Sequence, residues 1–142
     1  MNAVDTNLLV YAHRADSTFH IRAREVVREL AEGAEPWAIP WPCIHEFLAV
    51  VTNPRIWKQP TPPETALAAV ASWRAAPRLF LLAEDDNYWP TLEELVRESK
   101  IVGAKVHDAR IAALVLHHRV DVLFTADRDF SRFARVRTKN PL

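Results

Sequence analysis

The chain has 142 residues, of which 49% are hydrophobic and 25% are charged, and its 18 Lys and Arg balance its 18 Asp and Glu. This composition is typical of a single globular domain, residues 1–142, and the zero net charge gives no global attraction to nucleic acid. No apolar run reaches the ~20 residues of a membrane span, no signal peptide is evident, and the one cysteine excludes an internal disulfide, so we expect a cytoplasmic protein.

The first half of the chain alternates short apolar strands with helices. Ala3 and Val4 begin a buried strand, the polar run "DTN" turns the chain, and an apolar helix starts near Leu8. Helical periodicity is clear over residues 18–33, and the glycine at position 33 is typical of a helix end. The remaining elements of this half, bounded by prolines, are a strand at 36–40 and helices at 41–53 and 62–77.

The second half continues the alternation. Its elements are strands at 78–83 and 120–126, helices at 87–99 and 106–118, and a last edge strand at 135–140. Strands alternating with helices predict an α/β sandwich around a mostly parallel sheet. Such sheets bind ligands beyond the carboxyl ends of their strands. Asp5 and Asp127 each follow a predicted strand, so both belong to the edge where chemistry is expected.

Two further acids lie on apolar stripes of predicted helices. Glu46 shares its stripe with Ala49 and Val50, and Asp108 shares its stripe with Ile111. A carboxylate that faces the core is costly unless a partner compensates its charge. Both helices present these ends to the edge of the sheet that holds the strand-end aspartates, so we expect the four acids to converge.

Each acid alone also has a purely structural explanation. Asp108 can act as a helix N-cap or as a first-turn partner of the helix dipole. Glu46 can bond a buried arginine, whereas Asp127 and Asp129 can cap a short helix. Together, however, four converging carboxylates repel one another and raise one another's pKa values. A divalent cation relieves this repulsion, and an oxygen-only ligand set favours Mg²⁺ or Mn²⁺ over Zn²⁺. Carboxylate-bound ions of this kind serve the hydrolysis of phosphodiesters.

Two other kinds of acidic site fit the sequence less well. A phospho-aspartate phosphatase needs a second aspartate two residues after the first, where this chain has Asn7. A response-regulator receiver needs an adjacent acidic pair after its first strand and a lysine at the end of a late strand. The segments "DTN" and "TADRDF" supply neither, so we disfavour both classes.

The segments "AVDTNLLVYA", "IHEFL", "VHDARIAAL" and "LFTADRDFSRF" resemble those of PIN domains, and more narrowly of VapC-type toxins from bacterial toxin–antitoxin pairs. The resemblance runs from about residue 3 to the C-terminal "KNPL" and so covers essentially the whole chain. It implies a three-layer α/β/α sandwich and an endoribonuclease that depends on magnesium or manganese. It further implies that a metal-activated water cleaves the RNA and that a VapB-type antitoxin holds the enzyme inactive.

Position by position, the resemblance assigns roles to eight residues. The acids implied to be both catalytic and metal-binding are Asp5, Glu46, Asp108 and Asp127, with Asp129 as an accessory metal ligand. The polar residues implied to support the metal or its waters are Thr6, Asn7 and Thr125. No essential acidic position departs from the pattern of the family, so nothing suggests an inactive member.

The resemblance also implies a homodimer and an antitoxin segment that lies in an apolar groove and places a basic side chain among the carboxylates. The candidate residues for lining this groove are Trp41, Trp57 and Trp73. The candidates for contacting RNA phosphates, with solvated surface charge as the alternative, are Arg110, Arg128 and Arg132. We interpret Cys43, on the same helix as Glu46, as a small hydrophobic residue.

Two other functions remain open at this point. A housekeeping RNA-processing nuclease of the same fold predicts no toxicity and no partner gene. A catalytically silent binding module predicts that the acidic pocket survives only as structure. A short upstream reading frame that encodes a DNA-binding antitoxin favours the toxin over both.

Overall fold

The computed structural model describes residues 1–142, and its five strands form one parallel sheet. The strands are Asn2–Val4 (β1), Trp37–Pro40 (β2), Leu79–Leu82 (β3), Val122–Phe124 (β4) and Thr138–Lys139 (β5). Their order across the sheet is β3-β2-β1-β4-β5, and every neighbouring pair is parallel. The first strand is therefore central, and its last residue, Val4, lies beside Phe124 of β4.

Six α-helices cover the sheet. They are Thr6–His13 (α1), His20–Glu32 (α2), Trp41–Val51 (α3), Pro63–Arg74 (α4), Trp89–Glu98 (α5) and Val106–His117 (α6). Right-handed crossovers place α1 to α4 on one face and α5 and α6 on the other, and the helices of each face contact one another. The predicted three-layer α/β/α sandwich is confirmed. All predicted strands and helices are present, with ends shifted by three residues or fewer.

Two glycines mark boundaries for different physical reasons. The second helix ends at Gly33, where a Cβ atom would lie 2.8 Å from the carbonyl oxygen of Glu29. Any side chain at this position would therefore collide with the last turn. The sixth helix follows a 3₁₀ turn, Gly103–Lys105, in which Gly103 has a φ of +60°. This left-handed conformation favours glycine over residues with a Cβ.

The core anchors the two strands that lead into the acidic edge. Ala3 and Val4 of β1 and Leu123 of β4 are fully buried. Because these strands pair in fixed register, the residues directly after them, Asp5 and Thr125, are held side by side. None of the helices combines the length and the hydropathy that crossing a bilayer requires.

Candidate metal centre

Four carboxylates line one cleft of about 360 Å³ at the carboxyl ends of β1 and β4. Asp5 follows β1 as the N-cap of α1, and Asp127 follows β4. Glu46 comes from the middle of α3, and Asp108 from the first turn of α6. The structure thus brings together, from four separate elements, the acids that sequence reasoning singled out.

Three aspartates form a tighter group within this edge of the sheet. One carboxylate oxygen from each of Asp108, Asp127 and Asp129 lies within 4.8 Å of the other two. The backbone N–H of Asp129 donates to Asp127 Oδ1 at 2.8 Å, so Asp127 caps the 3₁₀ turn Arg128–Arg132. Asp127 therefore both caps this turn and belongs to the acidic group. Asp108, in contrast, is not a cap, because the N-cap position of α6 belongs to Lys105.

Asp5 is the most enclosed of the acids, and four donors surround its carboxylate. Its Oδ1 accepts from the backbone N–H of Thr6 at 2.7 Å and from the thiol of Cys43 at 3.6 Å. Its Oδ2 accepts from Thr125 Oγ1 at 2.7 Å and from Asn7 Nδ2 at 3.0 Å. Burial raises the pKa of Asp5 to about 6, although the hydrogen bonds from Thr125 and Thr6 oppose this rise. Asp5 is thus positioned rigidly and carries its charge only above mildly acidic pH.

The polar residues around Asp5 form one connected network. Thr125 Oγ1 accepts from Asn7 Nδ2 at 3.1 Å and from the backbone N–H of Asp127 at 3.0 Å. Asn7 Oδ1 accepts from the backbone N–H of Ala126 at 3.1 Å. This network joins the start of α1 to the loop after β4, so Thr125 and Asn7 orient two of the acids at once.

Glu46 corrects one expectation from the sequence. Its stripe with Ala49 and Val50 does not face the core: Glu46 and Ala49 are exposed, and Val50 is half-buried. The helix instead buries the opposite side, and the Glu46 side borders the cleft. No arginine pairs with Glu46. Its Oε2 accepts from Thr6 Oγ1 at 2.9 Å, which leaves the carboxylate free to act in the cleft.

A lysine that sequence reasoning missed lies among the acids. Lys105 Nζ forms an ion pair with Asp129 and lies 3.6 Å from Asp108 Oδ2. Burial raises the pKa of Asp108, Lys105 lowers it, and the charge of Asp127 raises it again. The predicted repulsion between carboxylates is therefore present but is smaller than the effect of burial. The i,i+3 spacing of Lys105 and Asp108 was the available signal for this contact.

The candidate phosphate-binding arginines differ in their surroundings. Arg110 forms an ion pair with Glu84 and lines a second depression of about 610 Å³, which three of the four acids, Glu46, Asp108 and Asp127, also border. Its charge is therefore partly committed to a protein carboxylate. Arg128 and Arg132 are exposed on the 3₁₀ turn that follows Asp127. Only Arg110 of the three lines a depression next to the acidic cleft.

Residues 3–136 of the chain match the PIN domain family. The chain belongs to the PIN-domain family. Among curated relatives, ribonuclease VapC43 of Mycobacterium tuberculosis is 38% identical over 142 residues, which cover 100% of this chain and 96% of the relative. Ribonuclease VapC48 of the same organism is 30% identical over 137 residues, 96% of this chain and 94% of the relative. These relatives place the PIN domain described here in the VapC group.

Solved structures give the same fold. VapBC2 from Rickettsia felis, bound to a DNA fragment from its promoter, has a TM-score of 0.72 at 20% identity, over 98% of this chain and 97% of that chain. VapC20 from M. tuberculosis, a toxin that cleaves the sarcin–ricin loop, has a TM-score of 0.64 at 19% identity, over 92% of this chain and 93% of that chain. At these identities the likeness establishes the PIN fold alone.

The tryptophans of this PIN domain do not line one common groove. Trp57 borders the acidic cleft, where its Nε1 donates to the Val50 carbonyl at 2.9 Å and the guanidinium of Arg14 lies 4.1 Å from its ring centre. Trp73 borders a different depression, beside α2 and α4. Trp41 stacks on His45. The candidate groove of three tryptophans is therefore wrong as a single surface.

The donor set of this PIN domain fits a hard divalent cation. The cleft and its rim offer carboxylate oxygens, and Asp108, Asp127 and Asp129 already lie close enough to share one ion. The cleft itself has no histidine, since His45 and His107 line only the adjoining depression, and burial raises the thiol pKa of Cys43 well above its usual value. Oxygen ligands without thiolate or imidazole are typical of magnesium and manganese sites.

Proposed function

We propose that this PIN domain is a divalent-metal-dependent endoribonuclease, the toxin of a VapBC-type toxin–antitoxin pair. The observation that carries the proposal is the convergence of Asp5, Glu46, Asp108 and Asp127 on one cleft. The names of the curated VapC ribonucleases, which match 96% and 100% of the chain, support RNA as the substrate.

The residues proposed to hold the ion are those four acids, with Asp129 as a further ligand. A bound Mg²⁺ or Mn²⁺ supplies charge stabilisation at the phosphate and lowers the pKa of a water. The protein's own contribution is orientation. The donors to Asp5 fix both of its oxygens, and Thr6 fixes Glu46 from the same helix start. Because burial raises the pKa of Asp5 to about 6, Asp5 carries its negative charge at neutral pH and above.

Analysis of RNA ends tests the reaction. Attack by water predicts fragments with a 5′-phosphate and a 3′-hydroxyl, whereas attack by the ribose 2′-hydroxyl would leave a cyclic phosphate. Chelator should abolish cleavage, and magnesium or manganese should restore it. Cyclic phosphate ends, or cleavage that persists in chelator, would contradict the proposed chemistry.

The proposed partner is a VapB-type antitoxin. VapBC complexes are among the solved structures that share this fold, which supports a partner of that type. Its inhibitory segment would place a basic side chain among the carboxylates, a role for which their charge is suited. We also propose a homodimer, and light scattering at micromolar concentration tests it, since a monomer under those conditions would contradict it.

Induced expression separates the toxin from the two other functions. The toxin predicts growth arrest by the wild type but not by Asp5→Asn, with rescue by a co-expressed upstream antitoxin. A silent binding module predicts equal effects of both forms. A housekeeping nuclease of the same fold predicts metal-dependent cleavage without arrest.

A further inference from the structure

We propose that Lys105 is a positioning residue that sets the affinity of the centre for its divalent cation, because its ammonium group acts as an internal counter-ion of the aspartates. The inference rests on the proposed metal dependence, but it concerns a residue outside the ligand set. It predicts that the charge of Lys105 opposes metal binding.

The contacts of Lys105 place its charge among the oxygens proposed to hold the ion. Its Nζ donates a hydrogen bond to Asp129 Oδ2 and lies 3.6 Å from Asp108 Oδ2. Both aspartates belong to the group whose oxygens lie within 4.8 Å of one another, together with Asp127. Lys105 also lines the depression that Asp108 and Asp127 border. The ammonium group thus neutralises the same carboxylates that a metal would neutralise.

Neither capping nor the helix dipole explains the position of Lys105 at the start of α6. It is the N-cap residue of α6 and makes no side-chain capping hydrogen bond. A positive charge at a helix N-terminus is unfavourable, because the helix dipole is positive at that end. The carboxylates of Asp108 and Asp129 compensate for this unfavourable placement. The lysine is therefore explained by its acidic neighbours, Asp108 one turn along α6 and Asp129 from the loop after β4, rather than by a capping role.

A divalent cation and the ammonium group compete for these oxygens. If Lys105 stays in place, two positive groups repel each other; if it moves away, its ion pairs are lost. A positive unit charge at about 5 Å from a divalent cation repels it and lowers the affinity for the cation by on the order of tenfold in water-like surroundings. If Lys105 moves away, the cost is the loss of exposed ion pairs, which are weaker than this repulsion, so the affinity for the cation falls by only about threefold. Removal of the charge should therefore tighten metal binding by about three- to tenfold.

Isothermal titration of the metal-free protein with Mn²⁺ tests the proposal. Lys105→Gln should bind Mn²⁺ about three- to tenfold more tightly than the wild type, while its melting temperature in chelator should fall. Lys105→Arg keeps the charge and should retain the wild-type dissociation constant. Lys58→Gln, which removes an exposed lysine that forms no ion pair, controls for net charge. It should leave both the affinity and the melting temperature unchanged.

An unchanged or weaker Mn²⁺ affinity of Lys105→Gln would overturn the proposal, even if its melting temperature falls, because a merely structural lysine would give that pattern. Equal tightening by Lys58→Gln would overturn it as well. The proposed function fails differently: all variants would bind no Mn²⁺, and RNA cleavage would persist in chelator.

Discussion

Asp5→Asn is expected to stabilise the metal-free protein at pH 8, although it changes a buried residue in the centre of the cleft. Asp5 is 4% exposed, and its burial raises its pKa from the usual 3.8 to about 6. The folded state therefore binds this proton more tightly than the unfolded state does. The protein consequently loses stability as the pH rises from the pKa of Asp5 in the unfolded state to its pKa in the folded state, and the loss is complete above pH 6. The lost free energy of unfolding is about 3 kcal/mol.

The asparagine amide restores most of this free energy but not all of it. Its side chain offers one acceptor oxygen where the carboxylate of Asp5 offers two, and the donors of Thr6, Asn7 and Thr125 surround them. Loss of one such hydrogen bond costs about 1 kcal/mol. The expected net gain at pH 8 is therefore about 2 kcal/mol, or roughly 6 °C in melting temperature for a chain of this size.

Urea and thermal unfolding in chelator, at pH 8 and pH 5, measure the effect. At pH 5 the folded wild type holds the Asp5 proton, so the advantage of the asparagine should shrink by about 1.4 kcal/mol. Asp86→Asn, the same change at an exposed position, is the matched control. If Asp5→Asn is less stable than the wild type at pH 8, with a gap that does not vary with pH, the carboxylate stabilises the fold and the burial argument is wrong.

Four further outcomes follow from the same geometry. Mn²⁺ at a hundred times its dissociation constant should raise the free energy of unfolding of the wild type by about 2.7 kcal/mol, and its melting temperature with it. The rise should be much smaller for Asp108→Asn, and equal rises would contradict a ligand role for Asp108. Mn²⁺ affinity, measured by titration, should fall below pH 6 as protons compete for Asp5; a flat profile would count against Asp5 as a ligand. Thr125→Val should cost about 1–3 kcal/mol in urea unfolding, because it leaves buried hydrogen-bonding groups unpaired, whereas the exposed Thr138→Val should not. Cys43, buried and with a raised thiol pKa, should resist a thiol reagent in buffer and react in urea; rapid labelling of the native protein would contradict its burial.

The fold and the identity of the acids were accessible from the sequence because each depends on local pattern. Asp5 and Asp127 follow apolar strands, and parallel strands bring their carboxyl ends to one edge. The exposure of Glu46 to the cleft was not accessible. Most of α3 is apolar, so periodicity alone could not tell the stripe that faces the core from the stripe that faces the cleft.

The contact between Lys105 and Asp129 shows a second limit. The two residues are separated by 24 positions, and their pairing depends on how α6 and the loop after β4 are placed by the sheet. Likewise, Trp57 borders the cleft because the loop after α3 returns to it, where Arg14 and the Val50 carbonyl hold the indole. Contacts of this kind arise from tertiary placement and leave no periodic trace in the sequence.

The central position of β1 has a consequence for synthesis on the ribosome. The first strand needs β4 as its neighbour, and Asp5 needs Thr125 as a donor, so the earliest residues to be made wait for some of the last. Pairing over such a separation is slow to form and cannot occur in a nascent chain that stops before residue 125. The acidic centre is therefore assembled only when translation is nearly complete, and shorter products carry Asp5 without the partners that complete it.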